Sequence, residues 1–183
     1  TNDAGRLVDG RAQYTLLCTE DGGTIDDTLL YRLGAERFLF CVNAGNRDAC
    51  ADWLRSHAQG LAGLEVVDRS EELALMALQG PVASDVVALL GAPGLADLAR
   101  FSVVETELAG RPVLAARTGY TGEDGFEFFL ATGEAPFVWE AILAEGESLG
   151  IEPIGLGARD TLRMEAGLPL YGHELSREIS PLE

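Results

Sequence analysis

The chain has 183 residues, 47% of them hydrophobic, enough to bury the core of one large domain or two small ones. Thirteen Lys plus Arg against thirty Asp plus Glu give a formal net charge of −17, which opposes attraction to nucleic-acid phosphates and anionic lipid, so neither is an expected partner. No apolar run is long enough for a membrane helix, and with only His57 and His173 the chain has no histidine-rich metal site.

Ala12 to Cys18 reads as a half-apolar strand, Glu20-Asp21-Gly22-Gly23 as a turn, and Ile25 to Leu33 as a return strand. Phe38 to Val42 is a short buried strand. From Asn46, a residue suited to capping a helix, Ala49, Cys50, Trp53, Leu54 and Ala58 recur at helical spacing until Gly60 and Gly63. On that helix His57 is expected to pack as a satisfied core-edge imidazole. Cys18, Cys41 and Cys50 are odd in number and lack C-x-x-C spacing, so they read as reduced packing residues of a cytosol-like compartment.

A second unit is expected from near Leu64, with strands at Leu64 to Val67 and Leu73 to Leu78, a break at Gln79-Gly80-Pro81 and a helix over Val82 to Leu90. Val103 to Leu108 and Val113 to Arg117 form a hairpin through Ala109-Gly110-Arg111-Pro112. The strand Phe126 to Leu130 and a helix over Glu134 to Ser148 follow. In the last helix Leu156, Leu162, Ala166 and Leu170 form an apolar face, with Arg159, Asp160, Arg163 and Glu165 opposite, until Gly167 and Pro169 stop it. Strands and helices mix without regular βαβ alternation, which predicts an α+β fold of two packed antiparallel sheet-plus-helix units, 1–66 and 67–183.

Two segments carry chemistry. Asp26 and Asp27 follow Gly22-Gly23 in a strand, where alternation sends one carboxylate inward and the other to water. Arg117-Thr118-Gly119-Tyr120-Thr121-Gly122-Glu123-Asp124-Gly125 is too rich in Gly and Thr for an ordinary hairpin, and it lacks the lysine of a nucleotide phosphate loop. Glu127 follows it between Phe126 and Phe128, on the opposite strand face, which by pattern alone is the solvated one.

Gly22-Gly23-x-x-Asp26-Asp27, Val42-Asn43-Ala44, Thr118-Gly119-Tyr120-Thr121-Gly122-Glu123-x-Gly125 and Gly157-Ala158-Arg159-Asp160-x-Leu162-Arg163-x-Glu165-Ala166-Gly167 occur in this order behind a tyrosine strand at Tyr14. In this the chain resembles the T-protein of the glycine cleavage system, the tetrahydrofolate-dependent aminomethyltransferase family, along its whole length. The loop Leu170-Tyr171-Gly172-His173-Glu174 narrows the likeness to that branch.

The resemblance implies transfer of a one-carbon unit from an aminomethyl-lipoyl group on the partner H-protein to tetrahydrofolate, with release of ammonia. It implies Asp26 as the catalytic carboxylate and Glu127 as the pterin-binding one, the latter against the strand pattern. Tyr14, Asn43, Tyr120, Arg159 and Tyr171 match positions lining the folate cavity. No metal is implied, and the compartment is the cytoplasm, or the mitochondrial matrix in a eukaryote. The family's fold has three domains around a central folate channel; residues 1–66 would be an inserted unit, and 67–183 most of a discontinuous first domain. The ends of the chain read as those of a piece of a longer protein, which implies impaired activity for the piece alone. The alternative is a folate-binding module of a related demethylase, dimethylglycine- or sarcosine-oxidising enzyme or iron-sulfur maintenance factor. The last of these carries a cysteine where this chain has Gly167 to Glu174 without one.

Overall fold

The computed structural model describes residues 2–182, which divide into two compact units. The first comprises the residues up to Ser70 together with those from Pro169 onward, and the second is Glu71–Leu168. Each holds its own antiparallel sheet with helices, so the fold is α+β as expected. Among the described residues no helix is long and apolar enough to cross a membrane.

In the first unit β1 (Arg11–Cys18), β2 (Thr24–Gly34) and β3 (Arg37–Cys41) pair in that order. Gly22, at φ 94°, lets the β1–β2 turn close, with the Thr19 amide donating to the Gly23 carbonyl at 2.9 Å. Leu17 faces Asp26 while Cys18 faces Thr24, so Ile25 is the extra residue of a β-bulge. The bulge suspends alternation, and Ile25 and Asp26, adjacent in sequence, are both buried. Ile25 joins Leu17 and Cys50 in an apolar cluster against Phe40, Val42 and Trp53.

Cys50 and Trp53 come from α1 (Arg47–Ala58). His57, expected to pack, is instead exposed. Cys50 is the only buried residue of the helix, and the imidazole lies over the outer face of Trp53, 4.1 Å between centroids. Leu64 to Val67, expected as a strand, pairs with nothing and leaves Leu64 and Val67 exposed. The segment from Pro169 reaches the β1–β2 turn: the Thr24 amide donates to the Ser176 carbonyl at 2.8 Å, and Gly23 lies so close to the Arg177 backbone that a Cβ would overlap it.

In the second unit β4 (Leu73–Gln79), β7 (Gly125–Ala131), β6 (Arg111–Ala116) and β5 (Val103–Leu108) form one antiparallel sheet in that spatial order. Phe126, Phe128 and Leu130 point to the face covered by α2 (Ala83–Leu89) and α3 (Ala135–Gly146), where Val86, Val87, Val138 and Ile142 complete the core. Glu127 therefore lies on the opposite face. The last helix, α4 (Leu156–Glu165), does not bury its apolar stripe: Leu156 is 83% exposed and Ala166 is exposed. Its one buried residue is Arg163. The guanidinium donates to Asp160 at 2.8 Å and to the Leu168 carbonyl at 3.3 Å, so its charge is held by carbonyl and carboxylate oxygen at the end of the helix.

Candidate functional site

The sequence-predicted residues gather in two groups, one in each unit. In the first, the bulge turns Asp26 fully inward, 0% exposed, beneath the start of α1. Its Oδ1 accepts from the side-chain amides of Asn43 (2.9 Å) and Asn46 (2.6 Å). Its Oδ2 accepts from the Asn43 backbone N–H at 2.9 Å and from the Cys50 thiol at 3.5 Å. Four donors fill the lone-pair positions of one carboxylate, which is how a buried charge is tolerated. Burial first, and then the negative charge of Asp26, push the Cys50 thiol up to about 12, so it stays a protonated donor.

Asn46 was expected to cap α1. It makes no side-chain capping bond, because its amide is turned to Asp26. The signal lay in the spacing Asn43-x-x-Asn46, which sets two amides about one helical turn apart at the end of a strand.

Asp27 is only half-buried. Its Oδ2 accepts from the Tyr14 hydroxyl at 3.1 Å and its Oδ1 from Asn43 Nδ2 at 2.8 Å. Partial burial raises its pKa against the lowering effect of these two donors, with the nearby Asp26 charge adding to the rise. The Asn43 amide thus bridges both carboxylates and holds two like charges side by side. Tyr171 lies in the same unit; burial raises its hydroxyl pKa, opposed by the positive charge of Arg177 and reinforced by Asp26.

In the second unit the loop between β6 and β7 is closed by a two-pronged ion pair. Arg117 donates to Asp124 from Nε at 2.9 Å and from the guanidinium terminus at 2.6 Å, and to the carbonyls of Ala96 and Leu98, both at 2.7 Å. The Arg117 hydrogen bonds hold the Asp124 carboxyl below its usual range. A depressed folded value means the stabilisation is present above the unfolded aspartate range and is lost as pH falls through the folded one. Asp124→Asn should therefore cost on the order of 1 kcal/mol at neutral pH, allowing for screening of this partly exposed pair, and nothing once both forms are protonated. Urea midpoints of the two proteins, measured from neutral to strongly acidic pH, should converge.

Beyond this clasp, the Thr118 hydroxyl donates to Glu127 Oε2 in a short hydrogen bond. Glu127 is half-buried rather than solvated, and burial raises its pKa against the lowering influence of Thr118 and of Arg159. Among the described residues its Oε1 takes no hydrogen bond. The Arg159 guanidinium lies over the Tyr120 ring, 4.4 Å from the centroid, which pins an exposed cation against an aromatic face. This group can present a desolvated carboxylate, a ring face and a cation to a flat, hydrogen-bonding ligand. Thr118 was missed as a partner because it lies nine positions away, on the far side of the glycine loop.

The family described as the GCVT N-terminal domain matches residues 1–183. The chain is 52% identical to the aminomethyltransferase of Geobacillus kaustophilus and 45% identical to that of Bacillus subtilis, in each case over all of this chain and half of the relative. It thus spans about half the length of the curated relatives it matches. Among solved structures it superposes on the glycine cleavage system aminomethyltransferase T of Bartonella henselae with a TM-score of 0.85 at 38% identity, over 98% of this chain and 47% of the other. The heterotetrameric sarcosine oxidase of a Corynebacterium shares the fold, at TM-score 0.56 and 19% identity, over 81% of this chain and 69% of the other.

Proposed function

Because this chain belongs to the GCVT N-terminal domain family, whose matching relatives are named aminomethyltransferases, we propose that it supplies part of the active site of a tetrahydrofolate-dependent aminomethyltransferase. In this reading the complete protein moves a one-carbon unit from the aminomethyl-lipoyl arm of an H-protein to tetrahydrofolate and releases ammonia. The cytoplasm is the compartment we propose, in keeping with the bacterial relatives.

The observation that carries the reading is Glu127, a recessed carboxylate with one oxygen held by Thr118 and the other open. A reduced pterin offers an amino group beside a ring N–H, and a carboxylate accepts both in parallel where a neutral amide accepts only one. Tyr120 offers a ring face and Arg159 a cation beside it. By the family resemblance, Tyr14, Asn43 and Tyr171, in the first unit, are proposed as further folate-binding residues. Glu127→Gln in the complete protein should weaken tetrahydrofolate binding by roughly 1–3 kcal/mol, the cost of losing a charge-assisted hydrogen bond. Calorimetric titration tests this, and unchanged affinity would remove Glu127 from the pterin site.

For the reacting carboxylate, the family resemblance proposes Asp26, whose negative charge would stabilise the cationic aminomethyl group. A second reading has its own observation. Asp26 is enclosed by four donors, whereas Asp27 keeps exposed surface and a Tyr14 hydroxyl on one oxygen. In that reading Asp27 meets the reactant, and Asp26 fixes the Asn43 amide that orients it.

A further inference from the structure

The Gln-Gly-Pro break after β4 carries a side chain that the proposed chemistry leaves unused. Gln79 ends β4, paired with Gly125 at the start of β7. Its carboxamide turns into the glycine loop. Nε2 donates to the carbonyls of Leu78 (3.2 Å), Thr118 (3.1 Å) and Phe126 (3.2 Å), and Oε1 accepts from the Thr121 hydroxyl at 3.3 Å. A Cβ at Gly119 would overlap Oε1, and one at Gly125 would overlap Nε2 and the Leu78 carbonyl. Two of the loop's glycines therefore leave the space that this amide fills. Gly122, at φ 78°, makes the turn itself, and its own Cβ would overlap the Ala166 side chain.

We infer that Gln79 is a positioning residue for the tetrahydrofolate site: its amide ties the two ends of the loop, at Thr118 and Phe126, to the end of β4, and so fixes Thr118 against Glu127 and sets where Tyr120 stands. The inference rests on the folate reading of Glu127 given above. A segment with three glycines between Thr118 and Phe126, unclamped, would have to be ordered at the expense of ligand binding. Only a primary amide of this length has both the donor that the carbonyls need and the acceptor that Thr121 uses. Glutamate matches its size but sets oxygen against three carbonyl oxygens.

The test uses the full-length protein with Gln79→Glu, Gln79→Ala and Gly119→Ala, the last leaving Gln79 in place but denying its amide the space. Without ligand, each variant should show faster amide hydrogen exchange across residues 119–125, with α2 and β5 unchanged. In turnover each should raise the KM for tetrahydrofolate about tenfold while kcat at saturation stays within about twofold. Unchanged exchange in 119–125 overturns the clamp. Faster exchange with an unaltered KM, or a fall in kcat at constant KM, overturns the positioning role, since a merely structural defect removes active enzyme without changing the affinity of the rest. Full retention of KM by Gln79→Glu overturns the requirement for a donor. Wild-type protein that fails to bind tetrahydrofolate overturns the folate reading and the ligand half of the inference, while the exchange measurement, made without ligand, still decides the clamp.

Discussion

Asp27→Asn in the complete protein is expected to lower turnover by about 100-fold or more, the usual loss when one group aimed at a developing charge is removed. The same substitution should leave folding intact or slightly improved, because burial already penalises the Asp27 charge. Asp26→Asn should also cut turnover by orders of magnitude, but with a different companion effect. Both Asp26 oxygens accept from N–H groups, so either orientation of an asparagine amide places a donor against a donor. Leaving buried donors unsatisfied costs roughly 1–3 kcal/mol, and the urea midpoint should fall with the activity. Steady-state kinetics and urea unfolding on both variants separate the roles. Near-normal turnover in Asp27→Asn, with activity lost in Asp26→Asn at full stability, would return the reaction to Asp26 alone. Normal turnover in both would end the catalytic role of the pair.

The second large effect is on stability. Phe128→Ala should destabilise the second unit by about 3–5 kcal/mol, the range for emptying a buried aromatic site. Phe128 is fully buried at the middle of β7, paired across the sheet with Met76 and Ala115 and with its ring centroid 6.2 Å from that of Phe126. Little nearby can collapse into the space, because its neighbours are strand residues fixed by pairing on both sides. Leu89→Ala on α2, where the side chain is half exposed, should cost under about 1 kcal/mol. Chemical denaturation that shows equal losses for the two would contradict the placement of the core.

The strands and most of the helices were legible because their information is local. Period-two alternation marked Phe126, Phe128 and Leu130 as one face of β7, and Gly-Gly after Asp21 marked a turn. Alternation failed at Ile25 and Asp26, where the bulge inserts a residue and buries two neighbours at once. Helical periodicity failed at α4, where Leu156 and Ala166 stay exposed and Leu162 is only half-buried while an arginine is buried with its charge paired. His57 misled because helical spacing specifies a face but not what that face meets, and Asn46 because a residue suited to capping carries an amide that a distant carboxylate can recruit.

The candidate site divides along the same line. Motif order and spacing by themselves determined the family, the α+β class, the acidic pair after Gly22-Gly23 and the importance of the glycine loop, because each is written in consecutive residues. Only the tertiary structure decided that a bulge and four donors enclose Asp26, that Asn46 and Cys50 are among those donors, that Glu127 is recessed beside Thr118, and that Gln79 fills the gap left by Gly119 and Gly125. The physical reason is that desolvation and hydrogen-bond satisfaction depend on which distant groups converge on an atom. A side chain's charge and reach can be read from its identity, but the cost of burying it is set by partners that the chain delivers only on folding.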